Sequence, residues 1–435
     1  MNVERQTIAK LKMRLLPLLI AAAILCFVDR INVAFAASAM MKEFGFTATV
    51  YGFGAGLFII PYIIFEVPSN VVLAKVGARL WLARIMITWG LISAAMAFIV
   101  GEYSFYGLRL LLGVAEAGLF PGVLFYLSLW FPREYRGRII GIFYMALPLA
   151  NVVGAPVSGF ILALDGLAGL AGWQWLFLVE GALPIVLAFA LLRWLPDSPD
   201  KAPWLEPQER DWLVSSLETD RQAVHIGHLS VLKALTDARV LALGAIVVCE
   251  VVSNYGLGFF LPLILKGFGL NNMQTGFVAA IPFLVGSFAC YIGGKTSDYL
   301  QERKLHVAAA LAIAGAFIGL STAFSSPLTQ IVLLSLAGFG MYLYLAPFWW
   351  MCTSYATSIG PVGGAAALAA INSIAQLGGF VSPWAVGYLR DATGTYAAGL
   401  LAISIVSFIG VALVFIFGRT LDVAIRPQSV RAEAD

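Results

Sequence analysis

Two pairs of charged residues lie within long apolar stretches of this sequence. Asp29 and Arg30 are adjacent in the apolar run 15–35, and Arg109 and Glu116 lie seven residues apart in RLLLGVAEAGLFPG. The first run is long enough to cross a bilayer, where a formal charge costs roughly 2.5–3.5 kcal/mol on insertion scales. Charges retained at this cost face the protein interior, where they bind a ligand, carry protons or pair with one another.

Helical geometry groups these four side chains. Residues two turns apart share a helix face, so Arg109 and Glu116 lie on one stripe. Asp29 and Arg30 are about 100° apart around their helix, so one can face a cavity while the other contacts the helix of Glu116. Burial favours the protonated form of a carboxyl and a nearby arginine favours the ionised form, a balance that lets such a group load and release a proton. A static ion pair of Arg109 with Glu116 or Asp29 is the structural alternative.

The two arginines indicate the charge of the molecule that the protein binds. A guanidinium is permanently cationic and matches the geometry of a carboxylate. Two such cations at membrane depth, Arg30 and Arg109, predict a small organic anion as the transported molecule, unless both are purely structural. Further polar side chains in apolar segments are predicted to line a binding cavity: Tyr62, Asn254, Trp350, Asn372 and Gln376. For the aromatic ones, ordinary packing or an interfacial belt is the competing interpretation.

Three more acids lie in apolar segments. We expect Glu66 and Glu180 near the cytoplasmic halves of their helices, where neighbouring arginines could neutralise them in a structural role. Glu250 lies nearer the middle of the seventh segment and could join a proton path.

Composition sets the protein class. Of the 435 residues, 60% are hydrophobic and 12% are charged, where a soluble domain has about 25% charged residues. The chain is therefore a polytopic membrane protein. The net charge of +3 is small and no basic, aromatic platform is present, which argues against nucleic acid as a partner. The three histidines (His225, His228 and His306) lie outside the apolar segments and the four cysteines lack metal-ligand spacing, so we expect no metal, no cofactor and no enzymatic activity.

The hydropathy pattern predicts twelve membrane helices in two sets of six. The apolar segments are 15–35, 51–73, 81–100, 105–127, 139–163 and 173–194, then 239–265, 273–294, 305–325, 329–352, 363–389 and 396–418. The prediction is an all-α membrane protein of two six-helix bundles, 1–195 and 237–435, joined by a cytoplasmic loop 196–236. Most lysines and arginines fall on loops that share a side with the N-terminus, which places both termini in the cytoplasm.

Several motifs together resemble the major facilitator superfamily, and more narrowly its anion:cation symporter family. They are DRIN in the first segment, FEVPSNVVLAKVGARLWLAR after the second, RLLLGVAEAGLFPG in the fourth, and then WFPREYRGR, GWQWLFLVEG and LPDSPDKAPWLEPQER. The resemblance covers nearly the whole chain. It implies two six-helix bundles, alternating access, a monomer in the bacterial inner membrane, and proton-driven uptake of an organic anion such as a sugar acid like galactonate, tartrate, phthalate or hydroxyphenylacetate.

The resemblance also implies residue roles. Asp29 and Glu116 match the acids that couple transport to protons. Arg30, Tyr62, Arg109 and Asn372 match positions associated with coupling or anion binding. Two alternatives within transport are a sodium-coupled carrier and an uncoupled carrier of an organic acid. A receptor that binds without transporting, on the same scaffold, is the alternative from another class.

Overall fold

The computed structural model describes residues 3–222, 236–359 and 361–418, so His225 and His228 lie outside the described residues. Within these ranges the regular structure is helical and no strand occurs, as predicted. Twelve helical spans are long and apolar enough to cross a membrane. The predicted all-α class and the twelve spans in the described chain are therefore confirmed.

Seventeen α-helices make up these spans and one polar connection. They are α1 (Val3–Phe44), α2 (Ala48–Leu57), α3 (Ile59–Val76), α4 (Ala78–Ala95), α5 (Glu102–Glu116), α6 (Leu119–Trp130), α7 (Arg133–Tyr144), α8 (Ala146–Leu162), α9 (Gly172–Trp194), α10 (Pro207–Gln222), α11 (Ala238–Gly267), α12 (Asn272–Leu300), α13 (Lys304–Ser321), α14 (Pro327–Leu343), α15 (Leu345–Ser358), α16 (Pro361–Thr393) and α17 (Ala397–Ile416).

Four spans consist of two helices each, and in each of them a proline follows the break. A proline has no N–H, and its ring clashes with the carbonyl four residues earlier. The first helices of the second, fifth and tenth spans end four residues before a proline, at Leu57, Tyr144 and Leu343. In the fourth span α5 ends at Glu116, five residues before Pro121, whereas α9 and α11 continue through Pro184 and Pro262 without a break.

The break in the fourth span also requires a glycine. Gly118 has a φ of +91°, in the left-handed region that L-residues avoid. A Cβ atom on Gly118 would lie 2.7 Å from Cβ of Ser69 and would overlap the hydroxyl of that serine. The sequence places this interruption directly after the buried carboxyl of Glu116.

The chain forms two compact units. The first is drawn from Met1–Phe46, Leu57–Val224 and Gly269–Ala280, and the second from Thr47–Gly56, His225–Phe268 and Ile281–Asp435. The division into bundles 1–195 and 237–435 stays a prediction. In the first unit α1 packs against α8 and α9, α4 packs against α9, and α10 is tied to α1 by a 2.8 Å ion pair between Lys10 and Glu209. In the second unit α11 packs against α16 and α17.

The short helix α2 is capped from within the second unit. The first N–H groups of a helix have no intrahelical acceptor. The carboxylate of Asp391, near the end of α16, accepts from the backbone N–H of Ala48 at 3.0 Å and from that of Thr49 at 2.7 Å. It also accepts from the Thr49 hydroxyl at 2.6 Å. One carboxylate therefore satisfies the start of α2.

Candidate functional site

A buried ion pair joins α1 to the end of α5. Nε and Nη2 of Arg30 both lie 2.6 Å from Oε1 of Glu116, and the two side chains are 8% and 0% exposed. The thiol of Cys26, one helix turn before Arg30, donates to the same oxygen at 2.8 Å. Oε2 of Glu116 has no hydrogen-bond partner among the described residues. The carboxyl of Glu116 thus holds the guanidinium through one oxygen and keeps the other available.

Aromatic rings surround the Arg30 guanidinium. Its Cζ atom lies 4.7 Å from the ring centroid of Tyr62, 5.2 Å from that of Phe27 and 5.4 Å from that of Phe58. Phe58 is the residue between α2 and α3, and its ring is also 5.1 Å from Cζ of Arg109. Rings at these distances attract a cation and shield it from water. The structure brings together Arg30, Tyr62 and Arg109 around one aromatic cluster, although it pairs Glu116 with Arg30 rather than with Arg109.

Asp29 points away from this pair toward α4, as its position next to Arg30 requires. It accepts hydrogen bonds from the hydroxyl of Ser93 and, at 3.2 Å, from the amide of Asn32. Asp29 is 1% exposed and interacts electrostatically with both Glu116 and Arg109. Its Oδ2 has no hydrogen-bond partner in the described part of the chain. Asp29 and Glu116 therefore lie in one buried electrostatic cluster with two arginines.

Glu180 is a further buried acid of the first unit, and its placement near the cytoplasmic half of its helix stays a prediction. It is the ninth residue of the 23-residue helix α9, whose start follows the end of α8 across a short connection. Ser158 donates to its Oε1 at 2.8 Å, and Glu180 interacts electrostatically with Asp29. In the sequence, Glu180 was indicated by the glutamate within the mostly apolar motif GWQWLFLVEG.

The second unit has its own buried polar group. Glu250 of α11 is 4% exposed and accepts from the amide of Asn254 at 3.5 Å. The buried Tyr342 and Tyr344 both interact electrostatically with Glu250. Sequence reasoning selected Asn254 but missed the two tyrosines, of which Tyr342 lies near the end of α14 and Tyr344 lies between α14 and α15.

The other predicted binding residues lie elsewhere in the second unit. Trp350 is 39% exposed, and its ring centroid lies 4.7 Å from Cζ of Arg303 in the connection between α12 and α13. Arg303 also pairs with Asp298 at 2.7 Å. Asn372 and Gln376 lie one turn apart on α16 and are half-buried. Their role in binding stays a prediction.

Comparison with known proteins identifies the family. The Major Facilitator Superfamily model matches residues 18–383. A protein of Agrobacterium vitis named "Putative tartrate transporter" is 41% identical over 419 residues, 96% of each chain. The "Quinolone resistance transporter" of Acinetobacter baumannii is 40% identical over 424 residues, 97% of each chain.

A solved structure supports the same fold. The bacterial homolog of the human lysosomal transporter Spinster, in an inward-facing and occupied conformation, has a TM-score of 0.74 at 18% identity, covering 94% of this chain and 97% of that one. The predicted fold class is therefore confirmed. The chain is a multi-pass membrane transporter and not an enzyme, and it belongs to the major facilitator superfamily.

Proposed function

We propose that the protein is a proton-coupled symporter that takes up a small organic anion, a carboxylate, by alternating access. The observation that carries this proposal is the buried pair of Arg30 and Glu116 inside an aromatic cluster. A relative named for tartrate, a small dicarboxylate, supports the substrate class. We further propose that the protein is a monomer of the bacterial inner membrane with both termini in the cytoplasm.

The geometry suggests how proton and anion bind together. While Glu116 is ionised, its Oε1 accepts hydrogen bonds from the guanidinium of Arg30 and balances its charge. A proton on the free Oε2 would neutralise the carboxyl and leave the guanidinium short of a counter-charge. An unpaired buried charge is costly, so a carboxylate of the cargo becomes the favoured partner of Arg30. Protonation and anion binding then favour each other, which is the requirement for symport.

Asp29 and Arg109 are a second acid and arginine at which a proton and the anion could bind together. Arg109 is 1% exposed and interacts electrostatically with Asp29, and the Phe58 ring lies within 5.4 Å of both guanidinium groups. Neutralising Asp29 would raise the net positive charge available to the anion. Because cargo and proton bind one conformation better than the other, their joint binding shifts the population between inward-open and outward-open states.

The test is uptake into proteoliposomes. We would measure uptake of labelled tartrate, a sugar acid, phthalate, hydroxyphenylacetate and nicotinate with an inward proton gradient, with an inward sodium gradient, and with neither. Proton-stimulated accumulation of one acid supports the proposal, and Asp29→Asn should then lose accumulation while retaining exchange. Stimulation only by sodium, or equal uptake in all three conditions, would replace proton symport by sodium coupling or by an uncoupled carrier.

An aromatic cargo is the second candidate. The relative from Acinetobacter baumannii is named for quinolone resistance, and Arg30 lies among the rings of Phe27, Phe58 and Tyr62. Such rings suit an aromatic acid as well as they suit an arginine. A fluorescent quinolone loaded into the same proteoliposomes tests this candidate, since proton-driven movement of the quinolone without movement of any small acid would favour it.

A further inference from the structure

An arginine of α4 has no part in the site described above. Arg84 is the seventh residue of α4, about 9 Å along the helix axis from its start, and is half-buried. Its Nη1 donates to the hydroxyl of Thr88 at 3.4 Å, and its Cζ lies 3.9 Å from the ring centroid of Trp81. Both contacts are with neutral groups, and Arg84 forms no ion pair with any residue that the structure describes. A cation within a membrane span is costly without a counter-charge.

The indole of Trp81 positions the guanidinium of Arg84. Nε1 of Trp81 donates to the hydroxyl of Ser69, on α3, at 3.0 Å, and this bond fixes the plane of the ring. A guanidinium stacked on a ring keeps its N–H groups in its own plane, where they can donate. Among the described residues no acceptor bonds Nε or Nη2 of Arg84, and the bond of Nη1 is long at 3.4 Å. The guanidinium is therefore held in place with donors left for a ligand.

The side chain of Arg84 lines a groove between α4 and α9 that has a volume of about 220 Å³. The other lining residues are apolar except for one threonine: Leu80, Ala83, Ile87, Thr88 and Leu192. No carboxylate of the described chain therefore lines the groove beside the cation. A ligand that fits has an anionic group for Arg84 and an apolar body for the remaining walls.

The same side of the first unit presents apolar side chains outward. Leu80 of α4 and Val186 and Phe189 of α9 are each more than half exposed. On membrane spans, an exposed apolar surface of this kind contacts acyl chains. Trp194, the last residue of α9, is also exposed, and tryptophans at the ends of spans lie at the level of the lipid headgroups. Leu192 is two residues before Trp194, so the groove lies close to that level.

We propose that this groove binds an anionic phospholipid, whose phosphate accepts hydrogen bonds from Arg84 and whose acyl chains lie against the exposed apolar residues of α4 and α9. A guanidinium matches a phosphate through two parallel N–H···O bonds. Phosphatidylglycerol suits the groove better than phosphatidylethanolamine, because no carboxylate lines it to accept from an ammonium group. The bound lipid supplies the counter-charge of Arg84. This inference goes beyond the proposed function and depends on neither the cargo nor the coupling ion.

The first experiment is native mass spectrometry of the purified protein, released from detergent and titrated with phosphatidylglycerol or phosphatidylethanolamine of the same acyl chains. The wild type should bind its first phosphatidylglycerol more tightly than its first phosphatidylethanolamine. Arg84→Gln should weaken the binding of phosphatidylglycerol about tenfold or more, because charge-assisted hydrogen bonds are lost. Arg138→Gln is the matched control: it removes the same charge from an exposed position on α7 and should keep the wild-type affinity. Equal affinities of Arg84→Gln and the wild type would overturn the inference.

Two more variants separate the groove from the charge. Leu192→Trp fills the groove and keeps Arg84, so it should also weaken binding of phosphatidylglycerol. Arg84→Lys keeps the charge but loses the two parallel bonds, so its affinity should lie between those of the wild type and Arg84→Gln. Thermal unfolding curves show which variants are folded, and added phosphatidylglycerol should raise the unfolding temperature of the wild type more than that of Arg84→Gln. Full affinity in Leu192→Trp would mean that lipid does not enter the groove.

The last experiment distinguishes a lipid from a soluble phosphate. Inorganic phosphate and glycerol 3-phosphate, each at millimolar concentration, compete for the guanidinium but have no acyl chains. They should leave phosphatidylglycerol bound, because the apolar residues of α4 and α9 hold the chains. Displacement of phosphatidylglycerol by either compound would replace the lipid site by a site for a soluble phosphate.

Discussion

Replacing Glu116 with glutamine tests the exchange of counter-charges at Arg30. The amide has nearly the shape of the carboxyl and keeps an acceptor oxygen, but it cannot be ionised. The variant loses the charge-assisted part of the contact with Arg30. In the wild type, Nε and Nη2 of Arg30 each lie 2.6 Å from Oε1 of Glu116. Hydrogen bonds to charged groups contribute about 1.5–3 kcal/mol and neutral ones about 0.5–1.5 kcal/mol, so Arg30 gives up about 1–1.5 kcal/mol less when it turns to a cargo carboxylate. At alkaline pH we therefore expect the variant to bind cargo about five- to tenfold more tightly than the wild type.

The assay is equilibrium binding of the radiolabelled cargo acid as a function of pH. Wild-type binding should weaken as pH rises, because a proton must occupy Glu116 before Arg30 is released. In Glu116→Gln the slope of log Kd against pH should fall by one proton, and gradient-driven accumulation should be lost while exchange persists. Glu102→Gln, in the first turn of the same helix α5, is the matched control and should keep the wild-type slope. An unchanged slope in Glu116→Gln, or accumulation at the wild-type level, would refute the role of Glu116.

Three further predictions concern binding and folding. Arg109→Ala should weaken binding of the anion itself at every pH, since it removes a buried cation, and a binding isotherm equal to that of the wild type would contradict this. Gly118→Ala should lower the free energy of unfolding by about 2–4 kcal/mol, because a side chain there is strained in the left-handed backbone and overlaps Ser69. Gly107→Ala is the control: it lies in open space on α5 and should change the thermal unfolding curve little. Asp391→Ala should lower the free energy of unfolding by about 1 kcal/mol, because the cap of α2 is lost. Asp391→Asn should lower it less, because asparagine keeps an acceptor oxygen.

Much of the fold could be predicted because its cause is local. A run of apolar residues predicts a span. Proline alone does not predict the breaks, because α1, α9 and α11 continue through Pro17, Pro184 and Pro262. The family motifs then predicted how the spans are arranged, through the fold that the resemblance implies. The stripe of Arg109 and Glu116 was also predictable, since both lie on α5 and helix periodicity fixes their angle.

The pairing across helices could not be predicted in the same way. Whether Glu116 meets Arg30 or Arg109 depends on how α1 and α5 are rotated about their axes, and helix periodicity does not fix that rotation. The contact of Trp350 with Arg303 joins two helices and a connection, so no local pattern indicated it.

The end of α5 at Glu116 has an electrostatic consequence of its own. The aligned peptide dipoles of a helix place about half a negative charge at its C-terminus, an effect felt within the last turn. Arg30 contacts the last residue of α5 and so lies next to this fixed partial charge. The backbone dipole cannot be protonated or replaced by cargo. It attracts the guanidinium in every protonation state of the side chains, by about 0.3–1 kcal/mol, and so favours a position of Arg30 near the end of α5 when Glu116 is neutral and no anion is bound.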